Sequence, residues 1–165
     1  MSESQIALAH LYRMPYAGVA QYFELLFLGL LAGFEVAVHY GIGAPPPVLP
    51  ESYQIVFRQA MVRRLRVLAP IIFLPSLLLT VLITIQERHS AGRLRYTAIA
   101  MLLVWIAIRI VRTVPVNSAT LEWNPNAPPM DWRSMVERAE RYHVVAAWAA
   151  IIAFLSSLAS ALGFY

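Results

Sequence analysis

The sequence predicts an all-α fold, a four-helix transmembrane bundle. Of its 165 residues, 59% are hydrophobic and the mean hydropathy is +0.61. Soluble domains sit nearer an apolar usage of about 45–50%. The apolar residues fall into four runs, 16–40, 67–86, 96–114 and 144–164, each close to the ~20 residues that a helix needs to cross hydrocarbon. Lipid offers no partner to an unpaired backbone group, so helices are the structure expected of each run. No internal repeat is present, and residues 1–165 read as one integral-membrane domain.

The first run contains Glu24 and Glu35 and is followed by no small-residue cleavage site, so it is expected to stay in the mature chain. After it, GIGAPPPVLP is a turn too rich in proline to be helical. Residues 51–66, ESYQIVFRQAMVRRLR, are amphipathic and should run into the second span, where Pro70 and Pro75 kink the helix or mark its start. ERHSAGRLR makes a short second connection, and Pro115 is expected to end the third helix. Residues 115–143 form the longest polar loop, within which Asp131 is placed to cap a fourth helix starting near Trp132. That helix would stand clear of hydrocarbon before Val144 enters it.

With no cysteine, disulfides, thiolate metal sites and cysteine nucleophiles are excluded. All thirteen basic residues are arginine, and none of them gathers on one exposed polar surface, so no nucleic-acid partner is expected. An even number of spans puts both termini on one side. Arg58, Arg63, Arg64, Arg66, Arg112, Arg133, Arg138 and Arg141 fall on the other side, against Arg13, Arg88, Arg93 and Arg95 on the terminal one. The positive-inside rule then favours termini outside.

Connectivity alone brings the end of helix one, the start of helix two, the end of helix three and the start of helix four to one membrane face. Glu35, His39, Arg63, Arg66, Arg109, Arg112, Asn117 and His143 are thereby gathered at similar depth. At about 100° per residue, Glu24, Glu35 and His39 share one stripe of helix one, which should face the bundle interior. Charges within a span are costly and need partners. Arg109 lies at the right depth to pair with Glu35.

Three readings of this cluster stand side by side. Glu35 and Arg109 could form a structural ion pair with His39 and His143 as interfacial hydrogen-bonding groups. Glu35, His39 and His143 could bind a divalent transition metal, a carboxylate and a histidine four residues apart on one helix sharing the ion with a ligand from another. Or His39 or His143 could be a general base in a dry pocket, with arginines stabilising developing negative charge. Arg58, Arg63, Arg64 and Arg66 are expected to snorkel to lipid headgroups. Trp123 and Trp132 fit an aromatic belt or, more sharply, a lid over the cluster. Glu24, deeper in the span, is expected to be neutral and hydrogen-bonded.

GLLAGFEVAVHYG in helix one, together with TVPVNSATLEWNPNAPPMDWRSMVERAERYH between helices three and four, resembles the anthrone oxygenase-like membrane proteins, a family carrying a domain of unknown function. The resemblance runs over nearly the whole chain. It matches Glu35 and His39 on helix one, Asn117 after the third span, Trp123, Pro129 and Trp132 in the loop, and His143 on helix four. Tyr40 stands where many relatives have proline, and Ala146 and Ala147 stand where an arginine often follows the last histidine. The resemblance implies a four-span fold, a place in a bacterial inner membrane and oxidation of anthrones without an obvious cofactor.

The expectation is a small membrane oxygenase or oxidoreductase acting on an aromatic or quinone-like molecule that arrives from the lipid bilayer. His39 or His143 would take a proton, Glu35 would orient the base and Arg109 would stabilise the anion, with Asn117 nearby. The rival reading is a non-catalytic accessory subunit or assembly factor of a larger membrane complex, or a homo-oligomer. In that reading partners pack on the small residues Ala146, Ala150, Ala153, Ser157 and Ala161, which recur about every four positions. A small carrier is a third, less favoured for want of an inverted repeat or paired broken helices.

Overall fold

The structure is a computed structural model that describes residues 3–42, 48–86 and 92–164, with side chains from residue 18 onward. Residues 43–47 of the proline-rich turn and 87–91 of the second connection, Arg88 among them, lie outside the described residues. Helix α1, Glu3–Val36, begins earlier than the apolar run and passes directly into a π-helical turn, Ala37–Ile42. Helix α2, Glu51–Gln86, joins the amphipathic segment to the second span without a break and continues through Pro70 and Pro75.

Helix α3, Arg93–Ile108, leads into a second π turn, Arg109–Thr113, and then into α4, Val114–Glu122. Pro115 therefore does not end the third helix. It occupies the first turn of α4, where a missing N–H is tolerated because the preceding register has already changed. That change is visible at Val114, whose amide bonds Arg109 O five residues back. The expected loop 115–143 shrinks to residues 123–131, since α5 starts at Trp132 and runs to Ala161. Asp131 holds the N-cap position, but its side chain makes no capping bond. Its backbone carbonyl instead accepts from the Met135 amide at 3.1 Å and the Ser134 hydroxyl at 2.9 Å.

Helix α5 packs between α1 and α3, and α2 lies chiefly on α1. Ala146, Ala149, Ala150 and Ala153 of α5 are buried with Leu28 and Leu31 of α1 and Leu102 of α3. Small side chains let these backbones approach closely. Most of the small-residue stripe thus faces the bundle's own core, with Ser157 also fully buried. Helices α2 and α3 touch far less, mainly through Phe73 stacked on Trp105 with ring centroids 4.6 Å apart.

The outward faces carry Leu30, Leu74, Leu78, Val111 and Leu155, all exposed. An exposed apolar surface of that extent suits hydrocarbon and would be an aggregation hazard in water. Gly18–Ile42, Glu51–Gln86, Arg93–Glu122 and Trp132–Ala161 are each long and apolar enough to cross a membrane. The chain is an all-α four-helix bundle with the architecture of a multi-pass membrane protein.

Trp123 and Trp132 are not displayed as an aromatic belt. They are buried against each other, Ile55 and Val136, with ring centroids 6.3 Å apart. Gln59 holds this small second core to the bundle by donating to Thr120 O at 3.0 Å and Trp123 O at 2.9 Å, two carbonyls at the end of α4. Trp132 Nε1 donates to the Glu51 carboxylate at the start of α2.

Candidate functional site

Glu35, on the last turn of α1, is fully buried and held by three groups. It accepts from Trp105 Nε1 at 3.0 Å and from Arg109 Nη2, and its second oxygen lies 3.8 Å from His143 Nδ1. The Arg109 guanidinium also sits over the Trp105 ring, 5.0 Å from its centroid, and its Nη1 lies 3.4 Å from His143 Nε2. A guanidinium has only donors, so that contact uses the Nε2 lone pair and leaves the imidazole proton on Nδ1, facing Glu35. The pairing of Glu35 with Arg109 follows the depth argument. The tryptophan that completes it sits one turn before Arg109 on α3.

A second cluster adjoins the first. Glu140 lies one turn before His143 on α5, and Arg58 Nη1 donates to its Oε1 at 3.3 Å while His39 Nδ1 stands 3.8 Å from its Oε2. Arg58 Nη2 donates to Asn117 Oδ1 at 3.4 Å. Arg58 is thus not a lipid-facing anchor but a buried ion-pair partner, 8% exposed. Arg63 and Arg66 remain exposed, and Arg112 lies over the Tyr142 ring at 5.0 Å.

All five expected site residues, Glu35, His39, Arg109, Asn117 and His143, therefore meet at one end of the bundle, but not as a metal cage. Among the described residues no group of three or more His, Cys, Asp or Glu is arranged to hold a metal ion. His39 lies on the first π turn, whose wider winding changes its offset from Glu35, and it faces Glu140 instead. Glu35 meanwhile spends its Oε1 on Arg109 and Trp105.

A cavity of about 370 Å³ lies between α2 and the α3–α4 rod. Phe57, Phe73, Trp105 and Ile106 give it apolar walls, while Arg58, Arg109, Thr113, Asn117, Glu140 and His143 supply a polar side. Leu74 and Ile110 also line it and are about 60% exposed on the bundle's outer surface, so it opens laterally. Among the described residues, the buried side-chain polar atoms without a hydrogen-bond partner are Glu35 Oε2, His39 Nδ1, His143 Nδ1, Arg58 Nε, Arg109 Nε and Thr113 Oγ1. All six belong to this cluster. Each such atom costs about 1–3 kcal/mol of desolvation, and four of the six are on residues that line the cavity, Arg58, Arg109, Thr113 and His143, a concentration that suits a binding site better than a stability device.

Glu24 makes a separate buried pair at the opposite end. Expected to be neutral, it instead receives Arg95 Nη1 on both oxygens, at 2.8 and 2.7 Å, and Ser157 Oγ at 3.2 Å. Trp105, Arg58, Glu140 and Thr113 are the site residues that sequence reasoning missed. No family model matches the chain, and no curated protein or solved structure matches it either.

Proposed function

We propose that this chain is a small membrane oxygenase or oxidoreductase that acts on an aromatic or quinone-like molecule taken from the lipid of a bacterial inner membrane, as its resemblance to the anthrone oxygenase-like proteins implies. The observation that carries the reading is an apolar, laterally open cavity that ends on Arg109 and His143, both backed by the buried Glu35. Such a cavity fits a flat hydrophobic ligand, and its polar end fits proton abstraction next to a fixed positive charge.

His143 takes the role of base because it lines the cavity and its Nε2 carries no proton, the long 3.4 Å contact from Arg109 giving way to the ligand, whereas His39 faces Glu140. Nε2 removes a proton from an acidic ring methylene of the ligand, and Glu35 holds the imidazolium that forms. The carbanion faces the Arg109 guanidinium and gives its electron pair to dioxygen, forming a C–O bond. The peroxide takes back the proton held on Nε2, and removal of the second C–H proton by the same nitrogen, with cleavage of the O–O bond and departure of hydroxide, leaves a carbonyl. The balance is CH2 plus O2 giving C=O plus H2O.

The test is anthrone turnover by purified protein in liposomes, followed by oxygen uptake and anthraquinone absorbance above the spontaneous rate. His143→Gln is expected to lower the rate by roughly 10²–10⁴-fold and Arg109→Met by roughly 10²–10³-fold, with His39→Gln causing a smaller loss. Wild-type turnover in His143→Gln would sink the assignment. No turnover in wild type, together with stoichiometric co-purifying proteins, would favour the accessory-subunit reading.

A further inference from the structure

Four buried serine and threonine hydroxyls in this bundle are satisfied within their own helices, and that of Ser157 is satisfied by Glu24 on a neighbouring one. Ser76 bonds Ile72 O at 2.8 Å, Thr80 bonds Ser76 O at 2.8 Å, Thr84 bonds Thr80 O at 2.7 Å and Thr120 bonds Val116 O at 2.8 Å, in every case the carbonyl four residues before. Thr113 breaks the pattern. It is 1% exposed, its Oγ1 has no partner, and it lines the cavity.

The π turn explains the exception. The carbonyl four residues before Thr113 is Arg109 O, which accepts from the Val114 amide in the five-residue register. A carbonyl can accept twice, but in this widened turn Arg109 O is directed to the Val114 amide, and the Thr113 hydroxyl makes no bond to it. One turn further along the same rod stands Asn117, bound to Arg58, whose Nε is likewise buried and unpartnered. Arg58, Thr113 and Asn117 all border the same cavity, beyond Arg109 and His143.

We infer that Thr113 is a ligand-binding residue whose hydroxyl, with the Nε–H of Arg58, forms a second polar station in the cavity for an uncharged carbonyl oxygen on an aromatic ligand. The Arg58 Nε–H can only donate and the Thr113 hydroxyl can donate as well as accept, so a ligand atom shared by the two is an acceptor. The charge of Arg58 is already matched by Glu140 at 3.3 Å, so a neutral oxygen fits better than a second anion. The inference rests on the reading of the cavity as an aromatic binding site and adds what distinguishes one aromatic molecule from another.

The experiment compares two probes that share a three-ring framework, anthraquinone with carbonyls and anthracene without. Binding to full-length protein in detergent is followed by quenching of tryptophan fluorescence, Trp105 being in the cavity wall, and corrected for partition into micelles. Wild type is expected to prefer anthraquinone. The isosteric Thr113→Val should lower that preference by about 3–10-fold through loss of one hydrogen bond, with anthracene affinity unchanged, and Thr113→Ser should keep it. Removing an unpaired buried hydroxyl should not lower the melting temperature, whereas a purely structural role would. An unchanged preference in Thr113→Val would overturn the role of Thr113 and leave the cavity reading intact. Binding of neither probe to wild type would overturn both.

Discussion

Arg95 and Glu24 form a buried ion pair in which one guanidinium nitrogen, Nη1, reaches both carboxylate oxygens at 2.8 and 2.7 Å, with neither side chain more than 1% exposed. It ties the start of α3 to the middle of α1, far from the cavity. Removing one partner leaves the other charged and buried, which costs about 3–5 kcal/mol. Glu24→Gln and Arg95→Met are each expected to destabilise the folded protein by that order, and the double Glu24→Leu/Arg95→Met variant to recover most of the loss. Unfolding in mixed micelles gives the three values. Additive losses in the double variant would contradict the pairing as the source.

Metal content is expected to be insensitive to the cluster. Glu35 is committed to Arg109 and His39 faces Glu140, so elemental analysis of purified wild type and of Glu35→Ala, His39→Ala and His143→Ala should show no stoichiometric transition metal that is lost in the variants. Chelator treatment should leave anthrone turnover unchanged. Iron, copper, manganese or zinc at one per chain, released by all three substitutions, would favour the metal reading over the other two.

Orientation can be read with single cysteines, since the chain has none of its own. With Arg58 and Arg95 assigned to buried ion pairs, the remaining arginines still favour the side of the α4–α5 connection as cytoplasmic. Met130→Cys, at a fully exposed loop position, should react with an impermeant maleimide only after the cytoplasmic face is opened. Labelling in intact cells would reverse the topology.

Much of the bundle was legible because span length and connectivity are enough to fix which helix ends share a face. The same reasoning found the Glu35–Arg109 pair and brought His39, Asn117 and His143 to one end. Neither π turn is legible in the sequence, because they arise from backbone register rather than from hydropathy, although Pro115 stands directly after the second. Residues 51–66 run into the second span as the sequence suggests, but an amphipathic pattern does not say which arginines turn inward, and Arg58 turns to Glu140 where a headgroup anchor is expected. Glu140 was within reach: the helical spacing applied to Glu35 and His39 also puts Glu140 and His143 of ERAERYH one turn apart. In the sequence Arg95 reads as a topology signal, and nothing there pairs it with Glu24.

The gap between α2 and α3 also decides what kind of concentration governs occupancy. On the proposed reading, a pocket whose mouth is bordered by outward-facing Leu74 and Ile110 would sample a ligand dissolved among acyl chains, and the controlling variable would be mole fraction in the bilayer and not molarity in the surrounding buffer. A sparingly water-soluble molecule can then saturate the protein at a vanishing aqueous level. The same molecule will seem to bind more weakly as detergent is added, through dilution of the apolar phase alone.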